Sequence, residues 1–317
     1  MNIVKLLIGL LFAAFTANVA AQYPEKPIKI IVPFGAGSAD VVARLVAQKI
    51  SEQSAKNVIV ENKSGAGGRI GLESVARSPA DGYTFVITDA GYVLLPTLYP
   101  NLGWDPADLV PVTLVLRMPF VLTVRANSHI SSLADLIARA KASPGKLNYG
   151  SAGVGGANQI VTELFKHSAG VDLTHIPYRG MGEAMTALLG GQVDVLVSTI
   201  AVASSYLQSN QVIGLVVPSK ERSPALPNVP TSAEAGVPDF LLSNWLGLLA
   251  PKGTPVEAID WMQGQVAAAV ATAEVKKRFA SLAVEGSGMT ATEYASFLGS
   301  EQQRWGNVVH FAGIKAE

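Results

Sequence analysis

Three glycine-bearing loops are the parts of this sequence that could do chemistry, and each lies between a predicted strand and a predicted helix. Loop 1 spans residues 34–39, loop 2 spans 64–68 and loop 3 spans 151–156. Glycine lets the backbone approach a ligand closely, and a helix N-terminus offers unpaired N–H groups with a partial positive charge. Such loops suit an anion, and they can bind a carboxylate without arginine.

The glycines do not form a nucleotide-binding fingerprint. Asp40 stands where the third glycine of GxGxxG would fall in loop 1, and Gly71 comes one residue late after loop 2. Asn158 takes that place after loop 3, and no GxxxxGK[ST] motif occurs. A dinucleotide or nucleotide site is therefore not expected.

Catalytic motifs are also missing. There is no GxSxG motif, and the four histidines do not pair at HxxxH spacing. The sequence contains no cysteine, which excludes thiol catalysis, disulfides and thiolate metal sites. Ser38 and Ser151 are interpreted as hydrogen-bond donors to a carboxylate rather than nucleophiles, and the histidines as surface or helix-end residues. We expect no enzyme activity, no cofactor and no metal.

Charge and composition describe a globular protein with a large core. The chain has 317 residues, 49% hydrophobic residues, and 24 basic against 24 acidic side chains. No basic stripe or basic tail appears, so neither nucleic acid nor an anionic membrane surface is an expected partner. We expect a monomer.

Residues 1–21 have the composition of a cleavable export signal. Lys5 precedes an apolar run from Leu6 to Phe15, and Val19, Ala20 and Ala21 offer small residues for cleavage before Gln22. The alternative, a membrane anchor, needs about 20 apolar residues. We predict a periplasmic protein of a Gram-negative bacterium with no direct membrane anchoring.

Alternating strands and helices must position the three loops. Strands are predicted at 28–32, 58–60 and 83–88. The alternation of strands and helices resumes after a long β-rich stretch at 112–125. The predicted class is α/β, with two lobes that each contain a doubly wound mixed sheet covered by helices. Lobe 1 is assigned residues 22–122 and 243–317, and lobe 2 residues 123–242. Ligands bind at the carboxyl ends of strands in such sheets, where the loops lie.

Several segments spread along the chain resemble the Bug-type solute-binding proteins, the periplasmic receptors of tripartite tricarboxylate transporters. The resemblance covers nearly the whole chain after the signal. It is carried by residues 23–28 (YPEKPI), 32–34 (VPF), 60–68 (VENKSGAGG), 79–84 (PADGYT), 147–151 (LNYGS), 176–180 (IPYRG), 190–194 (GGQVD) and 251–255 (PKGTP).

The resemblance implies a two-lobe Venus-flytrap fold of type II. It also implies a small carboxylate ligand, whether dicarboxylate, amino acid or aromatic acid, held in the cleft and delivered to the membrane permease subunits of a tripartite transporter. Two alternatives are a sensor that presents its closed form to a sensor kinase and an exported hydrolase. The implied ligand-binding residues are Phe34, Gly35, Ala36, Gly37, Ser38, Asp40, Ala66, Gly67, Gly68, Arg69, Thr88, Asp89, Ala90, Ser151, Ala152, Gly155, Gly156, Ala157, Tyr178 and Asp194.

Departures from the family pattern lie near the expected pocket. Loop 1 reads Gly-Ala-Gly-Ser from Gly35 where relatives often have Pro-Gly-Gly, and Gln159 stands where many have histidine. Arg69 replaces a frequent asparagine. It could pair with a second ligand carboxylate or with Glu73, four residues on. Asp40 could cap a helix or accept a hydrogen bond from a ligand amine.

Overall fold

The structure is a computed structural model that describes residues 23–35, 38–99 and 102–314. The predicted signal at 1–21 lies outside these residues. No helix in the described part of the chain is long and apolar enough to cross a membrane.

In the described residues, ten strands form one mixed sheet. They are β1 (Ile28–Val32), β2 (Val58–Asn62), β3 (Thr84–Thr88), β4 (Leu109–Arg125), β5 (Asn148–Ser151), β6 (Thr174–Pro177), β7 (Val195–Thr199), β8 (Val212–Val216), β9 (Ser243–Pro251) and β10 (Glu285–Gly286). The order is β2-β1-β3-β9-β4-β7-β5-β6, and β8 and β10 also pair with β4.

Helices cover the sheet. They are α1 (Ser38–Ser54), α2 (Arg69–Ala76), α3 (Gly91–Leu98), α4 (Leu133–Ala142), α5 (Ala157–Ala169), α6 (Met181–Leu189), α7 (Ile200–Gln208), α8 (Val256–Ala271), α9 (Ala273–Ser281) and α10 (Ala291–Phe311). Short 3-10 turns lie at Ala66–Gly68 and Pro106–Asp108.

Strand β4 belongs to two sheet segments. From Leu109 to Pro119 it pairs with β9, and from Phe120 to Arg125 it pairs with β7 and β8. The first segment contains parallel strands β2, β1 and β3, and the second contains parallel strands β7, β5 and β6. The central strands β1, β3, β4, β7 and β9 are mostly buried and rich in Val, Ile and Leu, whereas the edge strands β2 and β6 are partly exposed.

The predicted α/β class is confirmed, and most predicted elements are present. The apolar spacing predicts helices at 157–169 and 181–189, and α5 and α6 match these bounds residue for residue. Helices α3 and α7 were not predicted: α3 contains Pro96, and α7 has two small polar residues, Ser204 and Ser205, in its middle. Residues 175–180 were predicted to form a loop. The first three of them belong to strand β6 instead, because their backbone pairs with β5.

The loops follow the carboxyl ends of parallel strands. Loop 1 follows β1, loop 2 follows β2 and loop 3 follows β5. In each sheet segment this is the edge at which an open α/β sheet binds ligands.

Candidate functional site

Loop 1 is fixed by Asn62 at the end of β2. The Asn62 side-chain amide donates to the Phe34 carbonyl at 3.1 Å and to the Asp40 carboxylate at 2.9 Å. Gly35 is exposed. The expected contacts Ala36 and Gly37 lie outside the described residues, and of Ser38 only the backbone, which begins α1, is described. Sequence reasoning did not single out Asn62, although it stands in the motif at 60–68.

Asp40 belongs to a polar group on α1. It is the third residue of the helix, so the suggested N-terminal cap is wrong. Its carboxylate accepts from Arg44 Nε at 3.0 Å, four residues on, as well as from Asn62. The bond to Arg44, followed by that to Asn62, lowers the pKa of Asp40.

Loop 2 packs against loop 1. Ala66, Gly67 and Gly68 form a 3-10 turn in which Gly67 and Gly68 have φ of 65° and 94°. A Cβ atom on Gly68 would lie 3.1 Å from the Phe34 ring. Glycine is therefore required there both by the left-handed backbone and by the approach of the ring.

Arg69 follows loop 2 and faces Tyr99, at the end of α3. Its Nε donates to the Ala66 carbonyl at 2.9 Å, and its guanidinium lies 4.1 Å from the centre of the Tyr99 ring. The suggested pair with Glu73 is wrong, because Glu73 binds Arg77 at 2.8 Å.

The end of β3 carries three more expected residues. Thr88 is buried, and its hydroxyl has no hydrogen-bond partner in the described part of the chain. The Asp89 carboxylate accepts from the Gly91 amide at 2.9 Å, and burial raises the pKa of Asp89. The Ala90 amide donates to Asn244 Oδ1 at 3.4 Å, which ties the start of α3 to β9.

Loop 3 is braced by two side chains from outside the loop. Ser151 is buried, and its hydroxyl lies 2.6 Å from His175 Nε2 and accepts from the Gly153 amide at 3.2 Å. The Gly155 amide, where φ is 75°, donates to Gln159 Oε1 at 2.7 Å. Ala152, Gly156 and Ala157 are half-buried.

Tyr178 and Asp194 differ in their relation to loop 3. The Tyr178 amide donates to the Ser151 carbonyl at 2.9 Å, so Tyr178 adjoins the loop. Asp194 precedes β7, and its carboxylate accepts from the Asn148 amide at 2.9 Å, at the start of β5. Asp194 thus links the amino ends of β5 and β7. The three loops lie at the opposite, carboxyl ends of the strands, so the structure does not place Asp194 with them.

Contacts bring the three loops together. Loop 1 meets loop 2 through Phe34 and Gly68, and Arg69 after loop 2 meets Tyr99. The neighbouring Leu98 lies 3.9 Å from the point that a Cβ on Gly155 would occupy. The end of α3 therefore lies between loop 2 in the first sheet segment and loop 3 in the second.

Four of the helices that begin after these strands lack an N-cap side chain. In the part of the chain that the structure describes these are α2, α3, α5 and α7, although the Asp89 carboxylate accepts from the Gly91 amide at the start of α3. By contrast, Ser132, Thr272 and Thr290 cap α4, α9 and α10. Helices α6 and α8 are also uncapped. Uncapped N-termini leave N–H groups available to an anion, with the favourable end of the helix dipole.

The contact of Ser151 with His175 is a serine–histidine pair that sequence reasoning did not find. Residues 24 positions apart become neighbours because β5 and β6 pair in parallel. Ser151 has no exposed surface, and its hydroxyl is shared with the Gly153 backbone. The pair therefore braces the loop and does not present a nucleophile to a substrate.

A cavity lies away from the three loops. Within the described residues, no group of three His, Asp or Glu side chains could hold a metal ion. A cavity of about 630 Å³ lies beside Arg117, Ser243 and Arg304. It shares no lining residue with the three loops, so it is a separate feature.

Comparisons with known proteins identify related chains. Residues 42–314 match the family described as TctC, the tripartite tricarboxylate transporter family receptor. Protein BugT of Bordetella pertussis is 36% identical over 326 residues, covering 99% of each chain.

Two solved structures with bound ligands are similar over most of their length. An R. palustris protein solved with adipate is 33% identical, with a TM-score of 0.81, covering 92% of this chain and 99% of that one. MatC from Rhodopseudomonas palustris with bound malate is 30% identical, with a TM-score of 0.77, covering 90% and 100%. These similarities confirm the predicted two-lobe, type II periplasmic-binding-protein fold.

Proposed function

Because this chain belongs to the tripartite tricarboxylate transporter receptor family, we propose that it is a periplasmic receptor for a small organic carboxylate. The ligand binds between two lobes and is delivered to the permease subunits of a tripartite transporter. The receptor catalyses no reaction, and it reaches the periplasm through the cleavable signal at 1–21.

The observation that carries this proposal is the set of uncapped helix N-termini around the three loops. Helices α2 and α3 follow strands of the first sheet segment, and helices α5 and α7 follow strands of the second. Backbone N–H groups can therefore reach one ligand from both sides. The positive end of each helix dipole favours a negatively charged group there.

The binding free energy requires hydrogen bonds from loops on both sides of the ligand. A hydrogen bond to a charged group contributes about 1.5–3 kcal/mol net, and micromolar affinity needs about 8 kcal/mol. Four to six such bonds, about the number two loops can supply, exceed this requirement and offset the ordering that binding demands. Since one side alone provides too few bonds, ligand favours the form in which both sides meet.

Lobe 1 comprises residues 22–122 and 243–317, and lobe 2 comprises 123–242. The change of pairing partner along β4 between Pro119 and Phe120 supports a crossing close to the first of these boundaries. The return along β9 begins at Ser243, which pairs with Pro119. Two adjacent strands thus form the hinge.

Among ligand classes, a dicarboxylate has the best support. The similar R. palustris structures contain adipate and malate, and both are dicarboxylates. Arg69 is the basic residue among the expected contact residues, and its guanidinium lies beside Tyr99 at the junction of loops 2 and 3. It can pair with a second carboxylate.

A thermal-shift screen tests the function. The protein is unfolded and refolded to remove co-purified ligand, then mixed with malate, adipate, glutamate, nicotinate and hexanoate. A carboxylate at 100 times its dissociation constant adds about 2.7 kcal/mol to the free energy of unfolding. We expect malate or adipate to raise the melting temperature most. If no carboxylate stabilises the protein, the proposed function is wrong.

A further inference from the structure

The side chain of Gln159 accepts a hydrogen bond from one of the backbone amides of loop 3, so this amide is not available to a ligand. Its Oε1 accepts from the Gly155 amide at 2.7 Å, and the residue is only 8% exposed. Gln159 lies on α5 and reaches back to the loop before its own helix.

Gln159 belongs to a polar group beneath loop 3. The Tyr149 hydroxyl donates to Glu163 at 2.6 Å, and Lys166 donates to the same carboxylate at 3.1 Å. Burial and the bond to Glu163 raise the pKa of Tyr149, whereas an interaction with Gln159 opposes them. Gln159 therefore bonds loop 3 from the helix that also carries Glu163, the hydrogen-bond partner of the Tyr149 phenol.

His175 supports the same loop from the neighbouring strand. Its ring stacks on Tyr149 with centroids 4.8 Å apart, and its Nε2 contacts Ser151. Loop 3 is consequently tied at Ser151 and Gly155, four residues apart. The N–H groups at the start of α5 lie immediately after the second tie.

We propose that Gln159 is a positioning residue of the carboxylate site, which fixes loop 3 so that the amides at the start of α5 face the ligand. This inference rests on the proposed function. The Gly155 backbone is left-handed, and the Gln159 carbonyl satisfies its N–H without bringing charge to the site. A carboxylate side chain at position 159 would satisfy the same N–H and also repel the ligand.

Two variants separate positioning from charge. Gln159→Leu removes the acceptor at similar size, and Gln159→Glu keeps an acceptor but adds a negative charge. His167→Asn is the matched control, since His167 is an exposed residue near the other end of α5. Amide hydrogen exchange at Gly155 and calorimetric titration with malate and adipate are measured for each, together with the melting temperature.

The expected pattern differs for each variant. Gln159→Leu speeds exchange of the Gly155 amide and lowers dicarboxylate affinity, each about tenfold, because one hydrogen bond is lost. Gln159→Glu keeps the Gly155 amide protected and still lowers dicarboxylate affinity by more than tenfold, since the added charge is close to the site. His167→Asn changes neither quantity.

Three outcomes overturn the inference: unchanged exchange at Gly155 in Gln159→Leu, faster exchange spread evenly over all three loops, or wild-type affinity despite faster exchange at Gly155. If the wild-type protein binds neither malate nor adipate, the dicarboxylate function fails. The exchange pattern then decides alone whether Gln159 fixes loop 3.

Discussion

The Phe34 ring of loop 1 packs against Gly68 of loop 2, 3.1 Å from the point that a Cβ atom would occupy. This contact sets the distance between two loops that are proposed to bind one ligand. A methyl group at position 68 would push the ring and the turn apart.

We therefore expect Gly68→Ala to weaken carboxylate binding as well as stability. Alanine at a left-handed position costs about 1–2 kcal/mol, and the displaced ring changes the spacing of the loops. Gly170→Ala is the control, because Gly170 also has positive φ but has no atom within 4 Å of its Cβ position. Chemical unfolding and adipate titration should show similar destabilisation in both variants and a binding loss in Gly68→Ala alone. Equal binding in the two would contradict the proposed spacing.

Arg69 should discriminate between one and two carboxylates. Arg69→Met keeps the stem and removes the guanidinium, so we expect adipate affinity to fall about tenfold while hexanoate affinity changes little. Arg77→Met is the matched control, since Arg77 pairs with Glu73 at the far end of α2. Calorimetric titration measures both ligands. Equal losses for adipate and hexanoate would rule out recognition of a second carboxylate by Arg69.

Stability should decrease in acid through His175. Burial is the main cause that lowers its pKa, Lys166 adds to it, and Glu163 opposes it. The folded state thus favours the neutral ring, so the contribution of His175 is complete above its unfolded pKa of about 6.5 and is lost as the pH falls toward the lower folded pKa.

Thermal unfolding of the wild type and His175→Gln between pH 7.5 and 5 tests this dependence. The wild-type melting temperature should fall more steeply with acidification than that of His175→Gln. His310→Gln, at an exposed position in the last turn of α10, should keep the wild-type slope. Parallel curves for wild type and His175→Gln would refute the assignment.

Glu301 should be a major stabilising residue of α10. Its carboxylate is 2% exposed and accepts from Trp245 Nε1 at 3.2 Å and Trp305 Nε1 at 2.8 Å. Glu301→Leu leaves two buried N–H groups without acceptors, so we expect a loss of about 2–4 kcal/mol in urea unfolding. Glu301→Gln retains a carbonyl acceptor and should lose less, and Gln303→Leu, at an exposed position on the same helix, should lose little. A small loss in Glu301→Leu would show that the indoles find other partners.

Local patterns predicted much of the fold. Helices α5 and α6 were predicted residue for residue because their apolar spacing lies within the segment itself and glycines flank both ends. Helix α3 was missed because Pro96 and β-branched neighbours weaken the local helix signal, and packing against α10 supports the helix instead.

The side chains that brace the site could not be read from local patterns. His175 was interpreted as a surface or helix-end residue, yet the pairing of Tyr149 with His175 in strands β5 and β6 brings it to loop 3. Trp245 lies on β9 and is buried completely against α10. Both positions depend on strand register and on packing between distant segments, and the pattern of one segment does not predict either. Gln159 was noticed as a departure, but its bond to Gly155 needed the loop geometry.

Strand β4 runs without interruption from Leu109 to Arg125 and changes partner at Phe120. A connection made of two hydrogen-bonded strands differs from a single flexible linker, because rotation about it requires both strands to twist together. On the proposed division into lobes, this connection would restrict how the two lobes approach each other. The proposed permease partner would then meet the loaded receptor in few orientations.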